Sequence, residues 1–215
     1  AAQAHLAKRE DATAGSVGLA AAFSFYPSKN LGCFGNGGMT ITSDAEVANK
    51  MRSLRNYGAP SKYLHTELGT NSRLDTLQAA ILKVKLPHLP SWNSDRLQAA
   101  RYYDTLLKPF QEKGIFPLQN TSGNGHVYHL YVIRVTEKFP LDREALKEKL
   151  TARGVSTGIH YPIPCHLQPA YQYLGYKKGD FPNTEILSKE LLSLPMYPGI
   201  TEAKIERVVE AIGSF

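Results

Sequence analysis

The stretch SVGLAAAFSFYPSKNLGCFGNGGMTITS, residues 16–43, leaves a chain few ways to fold. Leu19 to Tyr26 carries small and aromatic residues without polar alternation, the pattern of a strand covered on both faces. Pro27 has no amide hydrogen and ends sheet pairing. Gly32, Gly35, Gly37 and Gly38 mark tight turns, and Gly38-Met-Thr-Ile-Thr is a second strand rich in β-branched residues. Between the first strand and the turns stands Lys29, with Asn30 after it and Ser24 five positions before it. Lysine is among the side chains least often buried. One held at the end of a covered strand is placed to use its amine as a nucleophile toward a carbonyl carbon.

The glycine cluster does not make a dinucleotide or P-loop site. Those loops follow a strand and open a helix, so that amide N–H groups meet a phosphate. Here a strand follows instead.

Composition narrows the partners. The chain has 215 residues, 42% of them hydrophobic and 20% charged, an ordinary balance for a globular protein. It has no apolar run of bilayer length and no charged-then-apolar leader, so the expectation is a cytoplasmic protein with no membrane partner. The net charge is +6, but lysines and arginines are dispersed among 19 acids. This argues against nucleic acid and favours small anionic ligands. Cys33 and Cys165 are far apart and are expected as free thiols, and no histidine or cysteine spacing suits a metal.

The remaining elements follow from periodicity and punctuation. Ala1 to His5 reads as the end of a strand and Leu6 to Gly15 as a polar loop. A helix capped by Ser43 or Asp44 runs to about Asn56, another spans about Leu74–Lys85, and a third spans about Trp92–Leu107 after Pro87 and Pro90 break the pattern. Beyond them come a strand at Tyr128–Val135, a helix at Asp142–Arg153 and a strand entering His160-Tyr161. A proline-rich loop then leads to helices near Pro182–Leu192 and Thr201–Ile212. The prolines place a domain boundary, giving residues 1–86 and 87–215.

The string SFYPSKNLGCFGNGG followed by MTITSD resembles the lysine segment of the DegT/DnrJ/EryC1/StrS family of sugar aminotransferases. RNYGAPSKYLHTELGTNSRLDTLQAAIL resembles the family's dimer-interface and cofactor segment, and HYPIPCHLQPAYQYLGYKKGDFPNTEILSKELLSLPMYPGIT its C-terminal signature. The resemblance implies an α/β architecture: the C-terminal part of a fold type I large domain, residues 1–86, followed by a small α+β domain, residues 87–215. It implies pyridoxal 5′-phosphate as cofactor and amino transfer, from glutamate, to a keto group of a nucleotide-linked sugar. It also implies a homodimer with shared active sites.

By the same resemblance Lys29 matches the lysine that holds the cofactor as a Schiff base and then shuttles a proton. Ser24 matches the hydroxyl on the cofactor phosphate, and Asn71 an asparagine that reaches that phosphate from the neighbouring subunit. Gln3, in Ala1-Ala2-Gln3-Ala4-His5, matches a glutamine near the ring's phenolic oxygen. The aspartate that pairs with the ring nitrogen would stand one position before Ala1, so the resemblance implies the C-terminal portion of a longer protein. His160, Tyr161 and His166 fall in a loop that lines the substrate side.

Several positions keep a second reading. Asn71 or Ser72 also suits a helix N-cap. Arg73 suits either an anionic ligand or a helix-start salt bridge. His160 and His166 suit either a sugar or diphosphate contact or packing within the loop. A sugar dehydratase of the same family would carry histidine at position 29, where this chain has lysine. A different alternative is a catalytically incomplete fragment that serves as a binding or dimerisation module.

Overall fold

The computed structural model describes residues 1–215, and contacts divide it into two compact units. The first comprises Ala1–Ser94 with 121–129, and the second 95–120 with Leu130–Phe215. This partition differs from a single cut at residue 86, because a segment from the later sequence belongs to the first unit.

In the first unit, turns rather than a strand occupy Ala1 to His5, with Ala4 N donating to Ala1 O. The expected polar loop contains a small hairpin, β1 (Lys8–Arg9) against β2 (Ala12–Thr13). β3 (Ala21–Ser24) pairs antiparallel with β4 (Gly38–Ile41), from Ala21 opposite Ile41 to Ser24 opposite Gly38. The expectation of a strand covered on both faces is not met: β3 is only partly buried and β4 is exposed throughout. The core lies after the strand, where Phe25, Leu31, Cys33, Leu82 and Leu89 pack together with Phe23 and Leu74 at their margin.

α1 (Ala45–Arg55) starts where Asp44 accepts from the amides of Glu46 and Val47 at 2.8 and 3.0 Å. That carboxylate satisfies two of the helix's unpaired donors. α2 (Thr76–Lys85) begins after Asp75, whose side chain makes no capping bond, so neither Asn71 nor Ser72 caps it. Pro87 and Pro90 do not break the chain into a loop. A single 3₁₀ turn, Leu86–His88, leads directly into α3 (Leu89–Leu107). Proline fits there because first-turn amides lack helical partners in any case.

The second unit is built on β5 (Ile115–Pro117), β6 (Tyr131–Val135) and β7 (Leu191–Leu194), all antiparallel with β6 central. Along β6, Tyr131, Ile133 and Val135 are buried and Val132 and Arg134 are half-buried, the alternation of a sheet with one covered face. α4 (Arg143–Ala152), capped by Asp142, contributes Leu146 and Leu150. α6 (Glu202–Gly213) contributes Ile205, Val208, Val209 and Ile212, a continuous apolar stripe. α5 (Pro182–Glu190) ends two residues before the sequence pattern does. Leu191 and Leu192 leave it for β7, where pairing with β6 fully buries Leu192. Two polar side chains hold the strap after β7: Tyr103 Oη donates to Pro195 O, and the buried Arg96 donates to Met196 O. No strand reaches His160-Tyr161. Only Gly158 bridges to Ser193.

Candidate active site

Lys29 sits in a closed loop immediately after β3. Lys29 N donates to Tyr26 O at 2.9 Å, and Cys33 N returns to Phe25 O at 2.8 Å. Gly32 lets the loop close, since a Cβ there would stand 2.5 Å from the Pro27 carbonyl oxygen. The half-buried Lys29 directs its Nζ to Gln3 Oε1, 3.1 Å away. Residues 1–5 are tied to the end of β3 by Ser24 N donating to Ala2 O at 2.9 Å. The Ser24 hydroxyl oxygen accepts from Tyr26 N at 3.2 Å. Thus Gln3, Ser24 and Lys29 come together around one turn.

Asn30, buried beside Lys29, makes three long-range polar contacts. Its Nδ2 donates to Asn93 Oδ1 at 2.9 Å and to Val127 O at 2.8 Å, and its Oδ1 lies 3.3 Å from His129 Nδ1. Asn93 Nδ2 in turn donates to His5 O at 2.9 Å. His5 is also buried, its ring lying over Phe25 and Phe23 with centroids 5.9 and 5.5 Å away, and neither ring nitrogen makes a well-formed hydrogen bond. Burial pushes its proton affinity below the ordinary value, the Ser24 backbone opposes this, and the Lys29 charge adds to it.

Asn71 and Arg73 form a separate patch, with no hydrogen bond or ion pair to the Lys29 group. Asn71 is exposed and bridges to Asn56. Arg73 donates to Asn56 Oδ1 at 2.5 Å, and its guanidinium lies 5.0 Å from the centre of the Tyr57 ring. A helix-start salt bridge is therefore not what Arg73 makes. A cation over an aromatic face takes its place.

The three remaining candidates lie in the second unit. His160 Nδ1 is 2.9 Å from Ser193 Oγ, and the exposed Tyr161 ring meets the imidazole edge-on. His166 Nε2 pairs with Glu185 Oε1 at 3.1 Å under an edge-on Phe181, leaving its side chain 8% exposed. Glu185 also accepts from Gly179 N at 2.7 Å, and that bond, followed by His166, holds its carboxyl below the usual range. His166 thus organises its own loop.

The sequence offered no sign of Asn93, His129 or the Val127 carbonyl as neighbours of Lys29. Asn30 was visible only as an adjacent polar residue. Its partners lie 63 to 99 positions away, and no local periodicity encodes that distance.

The donor set has a definite chemistry. It holds a primary amine, a carboxamide whose nitrogen has no protein partner, and a serine hydroxyl that donates to no protein group. These suit a ligand with one reactive carbonyl carbon and several anionic oxygens.

The model of the DegT/DnrJ/EryC1/StrS aminotransferase family matches residues 1–213. The chain is 45% identical, over its full length, to 56% of a pleiotropic regulatory protein of Geobacillus stearothermophilus. It is 43% identical, over 99% of its length, to 54% of a dTDP-3-amino-3,4,6-trideoxy-alpha-D-glucose transaminase of Streptomyces venezuelae. Among solved structures it resembles S. venezuelae DesV in complex with a ketimine intermediate, with a TM-score of 0.89 and 42% identity, covering 99% of this chain and 56% of that one. It also resembles NtdA of Bacillus subtilis with bound PMP, at 0.82 and 32%, covering 94% and 47%. The chain spans about half the length of the curated relatives it matches. Covered by the family model from residue 1 to residue 213, this chain belongs to the DegT/DnrJ/EryC1/StrS aminotransferase family.

Proposed function

We propose that this chain carries the cofactor-holding lysine of a pyridoxal-phosphate-dependent aminotransferase that aminates a keto group of a nucleotide-linked sugar, with glutamate as donor. In the net exchange the donor leaves as a keto acid and its nitrogen ends on the sugar carbon. The observation that carries this reading is the placement of the Lys29 amine 3.1 Å from Gln3, whose segment is tied at Ala2 O to the amide of Ser24, the last residue of β3. Family membership and relatives such as the S. venezuelae transaminase support the class of substrate.

Pyridoxal phosphate, when bound, supplies an aldehyde carbon for an amine and a ring that draws electrons from the attached carbon. Lys29 would hold that carbon and, when free of it, would carry a proton, since its amine is a nucleophile when neutral and an acid when charged. Gln3 orients the amine and offers its amide N–H to an anionic ring oxygen. Ser24 offers its O–H to the phosphate. In this reading Asn71 reaches a phosphate in a second subunit of a homodimer, and its separation from the Lys29 group fits such sharing. Arg73 stands beside it as a cation for the same ligand. His160 and Tyr161 face the sugar, with His166 fixing their loop through Glu185. The unit formed by residues 1–94 and 121–129 acts as part of the cofactor domain, and that formed by 95–120 and 130–215 as the smaller one. A cytoplasmic setting suits nucleotide-sugar substrates.

The test is cofactor capture. The chain is mixed with pyridoxal phosphate, a visible absorption band is recorded, and borohydride reduction followed by mass spectrometry locates the attachment. Attachment on Lys29, with the band lost in Lys29→Ala, is the expected result. Attachment spread over surface lysines, unchanged in Lys29→Ala, refutes the assignment.

A further inference from the structure

Gln3 and Lys29 face each other across 26 positions of sequence, so something must hold their segments in register. Gln3 lies between two anchors. Ala2 O is held by Ser24 N, and His5 O by Asn93 Nδ2 at 2.9 Å. On the lysine side, Asn30 is 4% exposed and donates both to Asn93 Oδ1 and to Val127 O. Asn93 therefore accepts from the residue after Lys29 and donates to the segment that carries Gln3. Its carboxamide spans the two, and every polar atom of this relay on Asn30 and Asn93 has a partner. The segment on the far side is equally constrained. Tyr128, between the Asn30 partners Val127 and His129, has φ +38°, which a non-glycine residue keeps only when its surroundings impose it.

We propose that Asn93 is a positioning residue that fixes Gln3 against the Lys29 amine through Asn30 on one side and the His5 carbonyl on the other. The proposal rests on Lys29 as the reacting amine of this chain. It adds a residue on α3, far from the lysine segment in sequence, to the device that sets the amine's orientation. Asn93 does not itself touch the amine. It acts through the register of the two segments that do.

The test needs no cofactor. The chain is labelled with limiting trinitrobenzenesulfonate, and the rates at individual lysines are followed by mass spectrometry. Lys85 is the internal control, being a half-buried lysine whose Nζ donates to Gly32 O at 2.6 Å, on the same loop but with no bond to Asn93 or Gln3. Asn93→Ala is expected to speed labelling of Lys29 about fivefold, what one hydrogen bond of ordinary strength carries, and to leave Lys85 unchanged. Gln3→Ala is expected to speed it at least as much. The double variant should be no faster than Gln3→Ala alone, since both remove the same contact. If Asn93→Ala does not fold, as judged by circular dichroism, Asn93→Asp carries the same expectations, because it keeps the acceptor for Asn30 and loses the donor to His5. An unchanged Lys29 rate, additive effects, or Lys85 accelerating in step would overturn the proposal. A protein that passes this test yet takes no pyridoxal phosphate on Lys29 refutes the function proposed above without touching this inference.

Discussion

The two units of the chain are held together by different means. The second has a three-stranded sheet with an alternating central strand and a dense apolar interior, in which Tyr103, Leu107, Ile115, Ile133, Leu146, Leu150, Leu192, Ile205 and Ile212 are almost wholly enclosed. The first has two short ladders and a five-residue core, while Val17, Leu19, Leu68, Leu77 and Val84 remain at least 69% exposed. What orders the first unit around Lys29 is a set of long-range polar bonds made by Asn30 and Asn93. Apolar burial tolerates small shifts. Hydrogen bonds fix position to a fraction of an ångström, which is what an amine that must meet a carbonyl carbon requires.

The largest expected effect separates the units by core depth. Ile133→Ala removes a fully buried side chain from the central strand and should cost about 2–5 kcal/mol. Leu82→Ala, at the smaller cluster, should fall at the low end of that range. The only tryptophan, Trp92, lies in the first unit and stacks on His88, so its fluorescence reports that unit. Near-ultraviolet dichroism of the stacked Tyr103 and Tyr131 reports the other. In urea, Ile133→Ala should move the tyrosine signal more than Leu82→Ala moves the tryptophan signal. The opposite order would break the comparison.

A smaller, pH-dependent difference should follow from His5. Its folded proton affinity is lowered from the ordinary 6.5, chiefly by burial, so the unfolded chain binds more protons below that value. Stability of the first unit is therefore full above about pH 6.5 and is lost as pH falls through the lowered folded value. The Trp92 midpoint should drop on acidification, and His5→Phe should flatten that dependence. A profile unchanged by His5→Phe would remove His5 as its source.

The smallest effect should be shared. Asp44 caps α1 in the first unit, and Asp142 caps α4 in the second by accepting from Ala145 N at 2.8 Å. Replacement of either by Ala should cost about 1 kcal/mol. A much larger loss at Asp44 would show that the first unit depends on its helix ends more than on its core.

Much of this was readable from the residues. α1, α4 and α6 begin and end within a residue or two of their expected bounds, because their caps and apolar spacing are local signals. The lysine, its turn glycines and the paired strands around it were equally visible. The errors came where tertiary pairing decides. Leu191 and Leu192 continued a helical pattern but joined the strand Leu191–Leu194, whose sheet partner lies about sixty positions away, and Ile115–Pro117 was too short to stand out. Asn71 looked like a helix cap because asparagine often is one, but the helix starts five positions later and the asparagine bridges to Asn56. The relay through Asn93 was illegible for the same reason. Hydrogen bonds between distant amides leave no periodic trace.

The placement of residues 121–129 has a practical consequence for anyone dissecting this chain. The backbone passes from one unit to the other three times, after residues 94, 120 and 129. No single cut yields two self-contained pieces. A product starting at residue 95 would carry away Val127 and His129, and the lysine loop left behind would lose two of the groups Asn30 binds. Recombination with a relative would have to exchange that nine-residue insert together with the lysine loop to keep the asparagine's partners.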